Sequence, residues 1–320
     1  MKYHKNILQI DCEKETDRIC NFIREQTLSM RRKGTVIGIS GGIDSAVCAA
    51  LCTKALGKEN VFALILPEKE SNPVSKEYAL KQAQKSGIIA EIIDVTPVLI
   101  AFGTYEKRDN VIRNIFPEYN SSYKMKITLP PDLLSKDALN FFTLTIQDEE
   151  DNTKSARLKK EQLSLIIAAT STKQRTRMMF LYYYAEKMNY FVCGTTNRSE
   201  FVQGFFVKHG DGAVDIEPIV YLYKTQVFQL ADHLGVIQEI RERAPSPDTY
   251  SFEVSDEEFY FRMPYEKLDL LLYAWNNEVS ISEVCKEMAL TEEQVTRAFR
   301  DFAAKHKATQ HLRTLPSSLL

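Results

Sequence analysis

One short stretch restricts the fold of this chain more than any other: VIGISGGIDSAVCAA, Val36 to Ala50. An apolar run ends in two glycines set between serines, and apolar residues at helical spacing follow (Ile43, Val47, Ala50 and Leu51). A buried strand, a sharp turn and a helix in direct succession form half of a parallel βαβ unit. Gly57 is a stop for that helix. The rhythm repeats. A second strand is predicted over Val61–Pro67, a loop EKESNPVS leads to a helix ending near Gly87, and a third strand is predicted over Ala90–Val95. Residues 13–31 read as an amphipathic helix ahead of the first strand. The predicted fold class is α/β, a doubly wound, mostly parallel, Rossmann-like sheet with helices on both faces.

The pattern breaks over residues 103–160, which are charged and irregular. Within them NFFTLTIQDEEDNTKSARL reads as a strand, an acidic turn and a returning strand. Phe141, Phe142, Leu144 and Ile146 offer apolar surface to bury, so this part is predicted to be an inserted hairpin or lid. A long helix over about Gln162 to Met188 and a strand Tyr190–Gly194 resume the alternation. A helix is predicted from about Lys224 to Leu234. APSPDTYSFEVSDEEF, rich in proline and acid, reads as a mobile loop. Residues 265–306 form a helical C-terminal extension. No internal repeat is visible, and 320 residues suit one large domain over 1–320.

A net charge of −2 argues against a surface built for long nucleic acid. Ser280–Phe302 has a helix-turn-helix rhythm, but the near-neutral charge weakens a DNA-binding reading. No apolar run approaches the length of a membrane helix, and the first residues do not read as a signal peptide, so the cytoplasm is the expected compartment. The six cysteines show no two-residue spacing of a zinc or redox motif. Cys48 and Cys52, one helical turn apart, read as buried reduced thiols, and Cys193 as an inert core thiol in a strand.

The loop SGGIDS carries the chemistry. Gly41 and Gly42 let backbone N–H groups approach an anion, Ser40 and Ser45 add hydroxyls, and the positive end of the following helix faces the same place. The sum is a phosphate cradle at the carboxyl end of a strand, where open α/β sheets bind ligands. Asp44 would repel bound phosphates unless a divalent cation lay between them, which points to Mg²⁺; the alternative is a helix-capping aspartate in a tight turn. Neither G-x-x-x-x-G-K-[ST] nor G-x-G-x-x-G is present after the strand, which argues against a P-loop enzyme and a dinucleotide redox fold.

SGGIDS resembles the pyrophosphate loop of the N-type ATP pyrophosphatases, which split ATP between its α- and β-phosphates. The later segments QRTRMMFLYYYAE, GTTNRSEFVQGFFVKHGDGAVDIEPI, LYKTQVFQLADHLG, APSPDT with SDEEF, and HLRTLPSS resemble the NAD synthetase family in order and content. The resemblance implies a reaction in which deamido-NAD, ATP and ammonia give NAD, AMP and pyrophosphate. It implies an ATP site of Ser40, Gly41, Gly42, Asp44, Ser45, Thr195, Lys224 and Ser246. It implies Mg²⁺ on Asp44 and Glu200, an acceptor site of Arg175, Lys208, Asp211 and Asp215, and catalytic roles for Asp44, Lys224 and Asp211. Alone, Glu200 reads as a helix-start residue, Lys224 as a solvated lysine, Arg175 and Arg177 as a basic helix face, Asp211 as a turn residue and Ser246 as a turn serine. The family also implies a homodimer. Phe201, Phe205 and Phe206 read as ring-stacking or core residues, and His209 as polar surface.

Three places depart from the family pattern: the long insertion, TSTKQRTRMM with Ser171 where an asparagine is expected, and RMPY at Arg262–Tyr265. They leave open an amide ligase acting on another carboxylate, or a nucleotide-binding regulatory protein without turnover. No glutaminase module is visible, so ammonia is expected to be used directly or delivered by a separate partner.

Overall fold

Three short strands of the main sheet alternate their side chains between two apolar layers. β1 (Thr35–Gly38) sends Ile37 to one layer and Val36 to the other; β2 (Val61–Ile65) divides Ala63 and Ile65 from Leu64 in the same way. This is the burial pattern of a parallel sheet covered on both faces. With β3 (Ile89–Ile92), the computed structural model, which describes residues 2–135 and 141–319, pairs β1, β2 and β3 in parallel. The third strand is shorter than the predicted Ala90–Val95. The Asp94 carboxylate accepts the Thr96 N–H at 2.8 Å and turns the chain, and Val95 sits in the core just before the next helix.

On one face lie α1 (Cys12–Ser29), α2 (Ile43–Leu56) and α3 (Pro73–Ser86). α4 (Thr96–Phe102) and α5 (Thr104–Arg113) lead into a second, smaller sheet. There β4 (Lys124–Thr128), β5 (Thr143–Gln147) and β6 (Thr153–Arg157) form an antiparallel sheet in the order β4-β5-β6. The predicted hairpin is β5–β6; the helix α5 and the strand β4 are additions to that reading. α5 was illegible because its buried face contains Arg108 beside Tyr105, Val111 and Ile112, and a charged run reads as solvated surface. Met125, Ile127, Leu144 and Ile146 pack one face of this small sheet onto Ile166, Tyr250 and Val254.

α6 (Lys160–Met188) crosses the second face of the main sheet, with Met178, Leu181 and Ala185 against Val36, Leu64 and Val192. It delivers the chain to β7 (Phe191–Cys193), parallel to β1 and completing the order β3-β2-β1-β7. The order reverses between β1 and β7, because the connection out of β1 runs over one face and the connection into β7 over the other. Such a switch point leaves a crevice beyond the carboxyl ends of the two strands.

α7 (Arg198–Gln203), α8 (Lys224–His233) and α9 (Gln238–Glu242) follow. The helical C-terminal part holds α10 (Tyr265–Asn276), α11 (Ile281–Met288) and α12 (Glu292–Ala308). Val284, Val295, Ala298 and Phe302, within the suggested helix-turn-helix, are buried in a core shared with Leu268, Leu271 and Leu272. The proline- and acid-rich stretch is held rather than loose. Phe252 N–H donates to Met125 O at 3.0 Å, Met125 N–H donates to Ser251 Oγ at 3.0 Å, and Tyr250 and Val254 are buried. Among the described residues, no helix is long and apolar enough to cross a membrane.

Candidate active site

Beyond the end of β1 the chain turns through Ser40–Gly42. Gly41 has φ 81°, and a Cβ there would lie 2.2 Å from Ser75 O, so both its dihedral and its neighbour demand glycine. Ser45 Oγ accepts the Ser40 N–H at 3.2 Å and donates to Gly42 O at 3.0 Å, which closes the loop on itself. The N-cap of α2 is Gly42, with no side-chain cap. The first-turn N–H groups of α2 therefore face the cavity, as an anion site requires.

Asp44 is not the helix cap. Its Oδ1 accepts from Asn197 Nδ2 at 3.0 Å and its Oδ2 from Lys224 Nζ at 2.5 Å. Glu200 is both a helix-start residue and a site residue. Its Oε2 accepts the Asn197 N–H in a capping box at 3.2 Å, and its Oε1 lies 3.6 Å from Lys224 Nζ. Lys224 is a buried first-turn residue of α8, not a solvated one. Ser199 Oγ accepts the Lys224 N–H, Asp269 Oδ2 accepts the Thr225 N–H, and Asp269 Oδ1 takes the Ser199 hydroxyl, so Asp269 fixes the start of α8.

The electrostatics follow from burial. Loss of hydration and the Asp44 charge push the Glu200 carboxyl well above its usual range, against the pull of Lys224. Burial lowers the Lys224 ammonium, but Asp44, Glu200 and Asp256 outweigh it and the net direction is upward. Asp256 is a third carboxylate here. It is buried, Tyr265 Oη donates to its Oδ2 at 2.8 Å, and its Oδ1 has no hydrogen-bond partner among the described residues. Sequence reasoning did not single out Asp256 or Asn197, although both lie inside segments already marked as motifs.

A cavity of about 940 Å³ opens over these groups. Ser40, Gly41, Gly42, Asp44, Ser45, Thr195, Glu200, Lys224 and Ser246 line it, as do Arg175, Lys208 and Asp211. Asp215 does not. Its carboxylate accepts the Val192 N–H at 2.7 Å and the Tyr182 hydroxyl at 3.3 Å, beside β7. Arg175 Nε donates to Lys208 O, and Lys208 Nζ donates to His311 O at 2.7 Å, which pins this wall to the C-terminal segment. Asp211 opens onto the cavity. Loss of hydration pushes its pKa up to about 6, although the Val207 N–H donates to Oδ1 at 2.9 Å. Glu217 lies behind the Thr195–Thr196 turn, and burial raises its pKa to about 8. Phe205, Phe206, His209 and Ser171 also line the cavity, while Phe201 stacks on Phe206 at 6.0 Å. Cys193 stays in the core with its Sγ 3.6 Å from that of Cys52, beside the buried Cys48.

A family model described as NAD synthase matches residues 15–120 and 107–316. The NH3-dependent NAD(+) synthetase of Rhizobium meliloti (strain 1021) is 44% identical over 314 residues, spanning 98% of this chain and 94% of the relative. That of Methanocaldococcus jannaschii is 35% identical over 304 residues, 95% of this chain and 95% of the relative. Among solved structures, an NH3-dependent NAD synthetase from Campylobacter jejuni superposes with a TM-score of 0.65 at 24% identity, over 98% of this chain and 100% of the other. An NMN synthetase from Francisella tularensis gives 0.67 at 23% identity, over 97% and 99%. At such identities the structural likeness shows the fold.

Replacing Lys224 by Met leaves two largely buried carboxylates without their cation. The expected cost is about 3–5 kcal/mol of stability at pH 8. Glu200, whose carboxyl already stands above its unfolded value and loses the pull of Lys224 in the variant, takes up a proton as pH falls, so the loss shrinks toward acid pH. Urea unfolding of the variant at pH 8 and pH 5.5 measures this; an equal loss at both pH values contradicts the charge account.

Proposed function

Because this chain belongs to the NAD synthase family, we propose that it converts deamido-NAD to NAD with ATP and ammonia, releasing AMP and pyrophosphate. The observation that carries this reading is a single cavity lined by both the SGGIDS loop with Lys224 and by Arg175, Lys208 and Asp211. A phosphate cradle and a second wall of cations and a carboxylate, sharing one space, suit transfer of an adenylyl group between two bound substrates.

In the proposed reaction an acceptor carboxylate oxygen attacks the α-phosphorus of ATP. The α–β phosphoanhydride bond breaks and pyrophosphate leaves. The α2 N–H groups, Ser40, Ser45, Thr195 and Ser246 hold the phosphates, and the Lys224 ammonium stabilises charge growing on the leaving group. Ammonia then attacks the adenylated carbonyl carbon, a C–N bond forms and AMP departs. Asp211 takes the surplus proton from nitrogen. Arg175 and Lys208 pair with the acceptor's own phosphates. Asp215, bonded beside β7, is proposed to act from outside the cavity wall by holding that wall in place.

The residues present fit Mg²⁺. Asp44 and Glu200 share one ammonium, and the buried Asp256 acts on the same Lys224, so carboxylates outnumber the cation here. Among the described residues no group of three or more His, Cys, Asp or Glu gathers closely enough to hold a metal by itself. Asp44 and Glu200 would therefore be its protein ligands, with phosphate oxygens and water as the others. When bound, the ion neutralises phosphate charge.

A homodimer is proposed on the α6 surface, where Leu165, Met179 and Tyr183 stand exposed along one stripe. Sedimentation of the pure chain as a monomer at assay concentration would remove that proposal. Six unpaired cysteines support the cytoplasm as its compartment, with ammonia used directly or from a separate donor.

End-point chemistry tests the function. With Mg-ATP, an ammonium salt and deamido-NAD, the expected products are NAD, AMP and pyrophosphate in equal amounts. AMP formed with another carboxylate but not with deamido-NAD moves the acceptor assignment; ADP as product, or bound ATP without turnover, overturns the reading. The pH dependence tests Asp211. Only its ionised form accepts a proton, so at constant free ammonia the rate falls as pH drops through about 6. Asp211→Asn should lower the rate by about 10²-fold and abolish that limb of the profile. A profile unchanged in the variant assigns the base elsewhere.

A further inference from the structure

Lys173 lies in the same helical motif as Arg175 and Arg177, yet it has no donor left for a substrate. Its side chain is fully buried, and Nζ donates to Glu68 Oε1 at 2.7 Å, Glu70 Oε2 at 2.8 Å and Thr249 O at 2.7 Å. An ammonium has three N–H donors, so all are used. Two of its partners are in turn held from the insertion. Arg108 on α5 grips Glu70 with both terminal nitrogens, at 2.6 and 2.7 Å, and Tyr105 Oη donates to Glu68 Oε2 at 2.7 Å. Burial alone would raise the Glu70 pKa; Arg108 and Lys173 outweigh it and pull it down to about 2. Two lines of charge-assisted bonds thus leave α5 and converge on one ammonium.

That ammonium holds the Ser246 loop by its Thr249 carbonyl. The same loop is fastened at two further points: Asn72 N–H donates to Asp248 Oδ1 at 3.0 Å, and Arg243 Nη1 donates to Ser75 Oγ at 2.9 Å. Asp248 sits at φ 44°, a left-handed conformation that surrounding contacts must maintain. Ser246, Pro247, Asp248, Thr249 and Tyr250 line the large cavity on one side. On the other, Ser246, Asp248, Thr249 and Tyr250 line a second cavity of about 580 Å³, bounded by Arg108, Asp109, Tyr119 and Lys124 of the insertion. The loop is a partition clamped from the insertion.

We infer that the insertion is the anchor of the Ser246 loop, and that Arg108, Glu70 and Lys173 are positioning residues that preset this loop for ATP. The inference rests on the reading that the large cavity takes ATP. None of the three lines the large cavity. Their effect is transmitted through the Thr249 carbonyl, which fixes where Ser246 stands.

The test uses the full chain with Arg108→Met, Arg108→Lys and Tyr105→Phe. In Arg108→Met, amide hydrogen exchange of Ser246, Asp248, Thr249 and Tyr250 in the ligand-free protein should quicken about tenfold, while β1, β2 and β7 keep their protection. KM for ATP should rise about tenfold with kcat within about threefold, since lost preorganisation weakens ATP binding. Arg108→Lys keeps the charge without the fork and should recover part of both effects. Tyr105→Phe, which leaves every charge in place, should give a smaller shift of the same kind; it is read in the same way if Arg108→Met does not fold. Unchanged exchange in the loop together with an unchanged KM for ATP overturns the inference. So does a fall in kcat with KM for ATP preserved. Exchange is measured without turnover, so a chain that makes no NAD yet loosens its loop on Arg108→Met refutes the proposed reaction and retains the anchor.

Discussion

The ammonium of Lys224 binds three helices to one point. Asp44 is in the first turn of α2, Glu200 in the first turn of α7, and Lys224 at the start of α8. Carboxylates are favoured at helix starts and a lysine is disfavoured there. The lysine persists because two acids face it in a space largely closed to water, where an unmatched charge of either sign would be costly. This mutual requirement makes the N-termini of α2, α7 and α8 converge, and the convergence creates the cavity. Asp269 reinforces it from behind by engaging Ser199 and the backbone of Thr225.

The sheet supplies the place for that convergence. β1 and β7 are adjacent and parallel but their connections run over opposite faces. The loops after them, Ile39–Gly42 and Gly194–Thr196, both border the cavity, into which the positive ends of the helices point. The narrow tolerances of this region are local. Gly41 meets Ser75 O, and Gly194 has the Glu217 carboxylate where a Cβ would be, so two glycines admit the close approach of neighbouring loops.

Contiguous motifs were legible because one loop conformation gives them their function. SGGIDS needed only the strand before it and the helix after it to be read as an anion site. The parallel sheet was legible from the alternation of apolar runs. What escaped the sequence depended on distant partners. α5 was hidden because Arg108, buried against Glu70, looks like surface in a charged run. The proline-rich stretch looked loose because the strand that holds it, β4, lies more than a hundred residues earlier. Asp215 was grouped with the acceptor wall through its motif, but the Val192 N–H and the Tyr182 hydroxyl occupy its carboxylate. Asp256 joins the site through distant contacts, its N–H donating to Pro245 O at 3.0 Å and its carboxylate accepting from Tyr265. No local pattern distinguishes it from the acids beside it.

The insertion also bears on how the chain reaches this state. Thr35 and Phe191, partners across β1 and β7, are 156 residues apart in sequence. Closing so long a segment is entropically expensive in a free chain. β4, β5 and β6 pair with one another in an antiparallel meander whose members are near neighbours in sequence. Such local contacts form on a faster timescale than a parallel crossover. Once the meander and α6 are in place, much of the intervening chain is already compact. The segment still free to wander before β7 docks is then shorter than the sequence separation. Residues 103–160, by pairing locally, add less to the effective separation of the two strands that frame the crevice than their number would suggest.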